Sequence, residues 1–175
     1  MQTQEQTSKQ YFRSLTVIFS ALLMGQLLFG TMISVINTHT PILEGVKNAD
    51  VLNASLLIVV ALLMIFAIVL GRVLSKAKLK AAKEKPALDQ KLNAYRSLTI
   101  IRLAFLQAPV FVALISFMLT GNWVFFGLAG LVITIFVMHA PSKNKLADEL
   151  ELSQSDRKLI EDPMTVVTRM NRSAN

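Results

Sequence analysis

The chain contains no cysteine, one tryptophan and only two histidines in 175 residues. Without cysteine there is no disulfide, no thiolate metal site and no cysteine nucleophile. The long apolar stretches contain no Asp or Glu, so a carboxylate proton relay inside a bilayer has no carrier. A phosphate-cradling glycine loop is missing, and so is a Ser/His/Asp set on one side of the membrane. These absences speak against an enzyme, and no cofactor or metal is expected.

What is present is hydrophobic and arranged in blocks. Apolar residues make up 53% of the chain and charged residues 17%, which is too apolar for an ordinary soluble domain. Four blocks, Ser14–Ile36, Leu52–Leu74, Ser97–Leu119 and Trp123–Ala140, reach the roughly 17–25 residues that a helix needs to cross a bilayer core. The expected fold is an all-α integral membrane protein with four transmembrane helices and a short cytoplasmic helical tail.

The net charge of +7 is concentrated in one place. Between the second and third blocks, Arg72, Lys76, Lys78, Lys80, Lys83, Lys85, Lys91 and Arg96 oppose only Glu84 and Asp89. Lys and Arg collect in short cytoplasmic loops. Both termini and this central loop are therefore expected in the cytoplasm, in a plasma or inner membrane, with the two hairpin tips outside. His39 then lies outside and His139 inside, too far apart to hold one metal ion. The basic loop lacks the interleaved aromatics that stack bases, so nucleic acid is not an expected partner.

The chain also repeats. Arg13–Ile36 and Arg96–Leu119 align without gaps, sharing Arg13/Arg96, Ser14/Ser97, Leu15/Leu98, Thr16/Thr99, Ile18/Ile101, Ala21/Ala104 and Leu23/Leu106. After the second and fourth blocks, Ser75–Leu79 (SKAKL) and Ser142–Leu146 (SKNKL) match as well. The offset is 96 − 13 = 83 where the unit starts and 142 − 75 = 67 where it ends. Loop tips absorb such differences at little cost. The reading is a tandem, parallel repeat of a two-helix hairpin, about 13–79 and 96–146, with a pseudo-twofold axis along the membrane normal. Residues 11–142 form the membrane domain, 75–95 a basic cytoplasmic linker and 143–175 the tail. The polar segment 1–10 is expected to be flexible.

Several side chains stand out within the blocks. Ala21 and Gly25, and Ala67 and Gly71, lie four apart, and such small residues let a neighbouring helix approach closely. The second block has no polar residue at its centre and is expected to face lipid. Its helix should continue through Lys76, Lys78, Lys80, Lys83 and Lys85 until Pro86 stops it. That basic run is a candidate surface for anionic lipid headgroups or a partner. Gln26 and Gln107 sit 12 and 10 residues into parallel helices, about 18 and 15 Å deep, so a hydrogen bond between them is expected. Pro109 should kink the third helix beside them. Arg102 is expected to snorkel to the headgroups. Trp123, next to the turn Thr120–Asn122, fits an interfacial anchor. In the tail, Leu146, Leu150 and Leu152 suggest an amphipathic helix, either solvated or docked on the basic loop. Ser153–Asp156 resembles a capping box, and Asp162–Pro163 a stop.

Leu103–Leu119 looks like the carboxylate-bearing helix of rotary ATP synthase c subunits, but Gln107 stands where the ion-binding acid would be. Four-helix small multidrug transporters are similar in size, yet they need a membrane-embedded Glu and none is present. The expected function is a non-enzymatic accessory or scaffolding subunit that packs against partner membrane proteins or a second copy. The alternative is a small oligomeric transporter or channel lined by Gln26, Gln107 and Pro109.

Overall fold

The computed structural model describes residues 3–37 and 49–171 and is mostly helical. The expected outer loop, with His39, Pro41 and Gly45, lies outside these residues. The elements in order are β1 (Thr3–Thr7), α1 (Ser8–Asn37), α2 (Ala49–Lys83), α3 (Leu88–Thr120), α4 (Trp123–Met138), α5 (Lys143–Glu149), α6 (Gln154–Glu161) and β2 (Val166–Asn171). Three helices, α1, α2 and α3, are long and apolar enough to cross a membrane, and there are up to four if the broken pair α4–α5 is one span. Alone, the 16 residues of α4 rise about 24 Å, short of a core about 30 Å thick. The helices divide between two compact units. One gathers Met1–Phe19, Val73–Ile101 and Ala140–Asn175, and the other Ser20–Arg72 and Arg102–His139.

The unit holding both chain ends bears on two expectations. Residues 3–7 are not flexible: β1 pairs antiparallel with β2, from Thr3 opposite Asn171 to Thr7 opposite Val166. The polar composition of β1 concealed this, because its stabilisation comes from backbone bonds to a strand at the far end of the sequence. The helix start that follows is local. Thr7 N–H donates to Gln10 Oε1 (3.1 Å) and Gln10 N–H donates back to Thr7 Oγ1 (3.4 Å), a reciprocal capping box. Ser8 and Lys9 N–H groups donate to the Thr165 and Pro163 carbonyls at 2.9 and 3.2 Å, so the loop before β2 satisfies the other free donors of the first turn.

Of the solvated and docked tails that the sequence leaves open, the structure has a packed one. Leu146, Leu150 and Ile160 are buried in one apolar cluster with Tyr11, Leu15, Leu92 and Leu98. The Tyr11 hydroxyl is sealed inside it and donates to the Leu92 carbonyl at 2.7 Å. As expected, Ser153 caps α6, its Oγ accepting from Asp156 N–H at 3.2 Å; α2 continues through Lys76, Lys78 and Lys80 but ends at Lys83, short of Lys85 and Pro86.

In the second unit, buried positions on α4 recur at helical spacing, Phe125, Ala129, Val132 and Phe136. On α2 they are Val60, Met64 and Ala67, while Leu62, Ile65, Phe66 and Val69 are exposed. Phe29 of α1 meets Phe111 of α3 edge-on, with ring centroids 5.2 Å apart. A methyl placed on Gly30 would lie 3.7 Å from both terminal carbons of Leu114. These contacts run α1 and α3 side by side in the same direction. The α3–α4 corner turns on Gly121, whose φ of 70° is the left-handed conformation that glycine adopts without strain. Asn122 then caps α4 by accepting from Val124 N–H at 3.0 Å, and its amide donates to Asn53 Oδ1 of α2 at 3.3 Å. Trp123, 62% exposed, rests on Phe117 and Phe126.

Candidate functional site

The polar group placed deepest in the apolar unit is Gln26. It lies on the buried face of α1 with Gly30 and Ile33, and is 0% exposed. Neither its amide nitrogen nor its oxygen has a hydrogen-bond partner. The expected bond to Gln107 is therefore not made. The heights agree, since the contacts at Phe29–Phe111 and Gly30–Leu114 set Gln26 level with about residue 109. Gln107 lies four residues before Phe111 and seven before Leu114, on the side of α3 that meets α1, and is partly buried. The buried face of α3 continues through Leu103, Leu106, Val110 and Ala113. Pro109 is buried, and α3 continues through it. Arg102 is partly buried about two turns earlier.

The small residues behave differently from expectation. Ala21 and Gly25 are exposed on α1, and a methyl added to Gly25 would meet nothing within 4 Å. On α4, Gly127, Gly130 and Thr134 fall on the exposed side, opposite Phe125 and Ala129, and methyls on both glycines would also meet open space. The seam anticipated at Ala21–Gly25 is thus not filled by this chain among the described residues. The spacing of Gly127, Gly130 and Thr134, which puts all three on one helical face, is readable in the sequence.

The basic run divides in two. Lys83 is partly covered and bonds Glu151 Oε1 of the tail at 2.6 Å, so one acid of the stretch after α5 docks on the linker. Lys76, Lys78, Lys80 and Lys85 are exposed. The Glu151 carboxyl is held below the ordinary carboxylate range, chiefly by the hydrogen bond from Lys83 and then by its charge. Asp162 is likewise lowered, first by the Thr165 hydroxyl (2.7 Å) and then by Met164 N–H (3.0 Å). A lowered folded-state value means that the stabilisation is present at neutral pH and lost as pH falls below about 4. Acidification through that range should loosen the α6–β2 connection and the Lys83 contact. The effect should be small, because both carboxylates are exposed. Glu151→Gln should flatten part of the acid limb in a pH-dependent unfolding series.

Among the described residues no group of three His, Asp or Glu side chains converges as a metal site would require. His139 closes α4, with Nδ1 2.8 Å from the Ile135 carbonyl. A carbonyl only accepts, so Nδ1 carries the proton in that contact. No family model, curated protein or solved structure matches the chain. The functional reading therefore rests on burial, charge and the faces the helices leave open.

Proposed function

We propose that this is a four-span membrane protein, built by tandem duplication of a helical hairpin, that serves as a non-enzymatic accessory or scaffolding subunit with both termini in the cytoplasm. The duplication is supported by the spacing of contacts within each unit. First-helix contacts join Tyr11 to Leu92 and Phe29 to Phe111, separations of 81 and 82 beside the repeat offset of 83. At the second helices, Asn53 of α2 bonds Asn122 at the start of α4, a separation of 69 beside 67. Equivalent positions of a parallel repeat lie at one height, and spacings near the repeat offset support that reading. The basic end of α2 supports the orientation.

One observation carries the accessory role: Gly25, Gly127 and Gly130 open onto space that no described residue fills within 4 Å. Glycine inside a helix costs about 1 kcal/mol against alanine. In a bilayer, small exposed faces are where another helix packs closely. Gly127→Leu with Gly130→Leu is expected to leave thermal unfolding of the isolated chain unchanged or slightly higher. The same variant should cut recovery of a stoichiometric membrane partner from mild detergent at least tenfold, an effect of about 1.4 kcal/mol or more. Unchanged recovery, or a bare monomer from native membranes, would sink the proposal.

The rival reading, a small oligomeric transporter or channel, draws on the unpartnered Gln26 amide. It predicts that Gln26→Leu with Gln107→Leu abolishes solute flux without disturbing assembly.

A further inference from the structure

We propose that Lys76, Lys78 and Lys80 form a binding surface for anionic phospholipid headgroups where α2 leaves the bilayer. Charge is the first support. The unit that holds both chain ends carries fifteen basic and nine acidic residues, +6 of the chain's net +7. Continuity is the second. One unbroken helix carries the exposed apolar side chains Phe66, Val69 and Val73 and then the three lysines, with no loop between them. At 1.5 Å per residue, Lys76, Lys78 and Lys80 stand about 4.5, 7.5 and 10.5 Å beyond Val73. A headgroup layer is roughly 5–8 Å deep on each side of the hydrocarbon, and screening extends about 8 Å further at physiological salt.

The third support is what the chain's own acids do. Glu151 takes Lys83 and Asp148 takes Arg157, while Lys76, Lys78 and Lys80 have no ion pair among the described residues. On the helix, Ser75, Leu79 and Ala82 turn inward. Lys76 and Lys80, four residues apart, flank that inward face on one side, and Lys78 flanks it on the other. Three ammonium groups therefore stay exposed on either side of a packed seam. This arrangement matches a layer of phosphodiesters better than one compact acidic segment. The proposal stands apart from the accessory reading, since it needs no protein partner.

The test uses the purified full chain in phosphatidylcholine vesicles with and without phosphatidylglycerol, where membrane orientation is already fixed and topology signals no longer act. Binding of labelled phosphatidylglycerol, measured relative to labelled phosphatidylcholine, should favour the anionic lipid. That preference should weaken as salt is raised and fall about fivefold for each lysine neutralised in K76Q, K78Q and K80Q. The K76R/K78R/K80R variant should keep it, and inorganic phosphate at matched concentration should not compete it away. Equal binding of the two lipids by the wild-type chain would overturn the proposal. So would a K76Q/K78Q/K80Q variant that retains full preference, which would leave the lysines to an acidic protein partner or to orientation alone.

Discussion

Gln26→Leu is expected to stabilise the apolar unit by about 1–3 kcal/mol, because it replaces a buried, unpartnered amide with a hydrocarbon of similar size. The sign is the informative part. Glutamine within a membrane span suggests interhelical glue, and removing glue destabilises. Here the amide is 0% exposed and both polar atoms lack partners, so folding strips it of water without compensation. Gln107→Leu is the internal comparison. That side chain is only half-buried, and its replacement should change stability by less than about 0.5 kcal/mol. Reversible unfolding in one detergent, for both variants beside the parent, reads the difference directly. A destabilised Gln26→Leu protein would show that the amide is satisfied in the membrane, by water or a bound solute, and would favour the transporter reading.

Leu146→Ala should destabilise the other unit by about 2–5 kcal/mol, the usual cost of a large cavity in a closed core. Leu146 is 0% exposed and shares its cluster with Tyr11 and Leu15 of α1, Leu92 and Leu98 of α3, and Ile160 of α6. A solvated tail would register the same change at under about 0.5 kcal/mol. Limited proteolysis separates the cases. In the parent the 143–171 region should resist cleavage, and in Leu146→Ala cleavage should begin within it and at the β1–α1 junction. Hydrogen exchange at the Leu150 and Leu152 amides, which bond the Leu146 and Ala147 carbonyls at 3.0 Å, should accelerate with it.

What the sequence revealed was local. Pro86 ends α2 because a proline cannot continue a helix, and the Ser153 cap and Gly121 turn are set by residues within four positions of each other. The Thr7–Gln10 box belongs to the same class and was legible too, but the polar run around it suggested disorder. The β1–β2 pairing was not legible, because Thr, Gln and Glu in β1 give no burial pattern and the partner strand lies at the other end of the chain. Gln26 and Gln107 show a different limit. Counting residues gives depth along a helix, but the packed face depends on which neighbours surround it. Gln107 shares the α1-facing side of α3 with Phe111 and Leu114, and Gln26 still makes no bond to it. The open faces at Gly25 and Gly127–Gly130 carry the same lesson, since small-residue spacing marks a close approach without saying whose helix makes it.

The ribbon of β1 and β2 also imposes an order on how the molecule is made. Thr7 faces Val166 across 166 − 7 = 159 residues, so β1 must wait for β2 to be synthesised. At ordinary elongation rates of about 5–20 residues per second that delay is roughly 8–32 s, long after α1 has left the ribosome. Until then the Ser8 and Lys9 amides lack the carbonyls that close them, and Tyr11 and Leu15 lack the Leu146–Ile160 half of their core. A chain cut short before β2 would keep its apolar helices but present an unfinished end on the side of its termini. The order of synthesis is thus recorded in the fold itself, at the point where two strands far apart in the sequence meet.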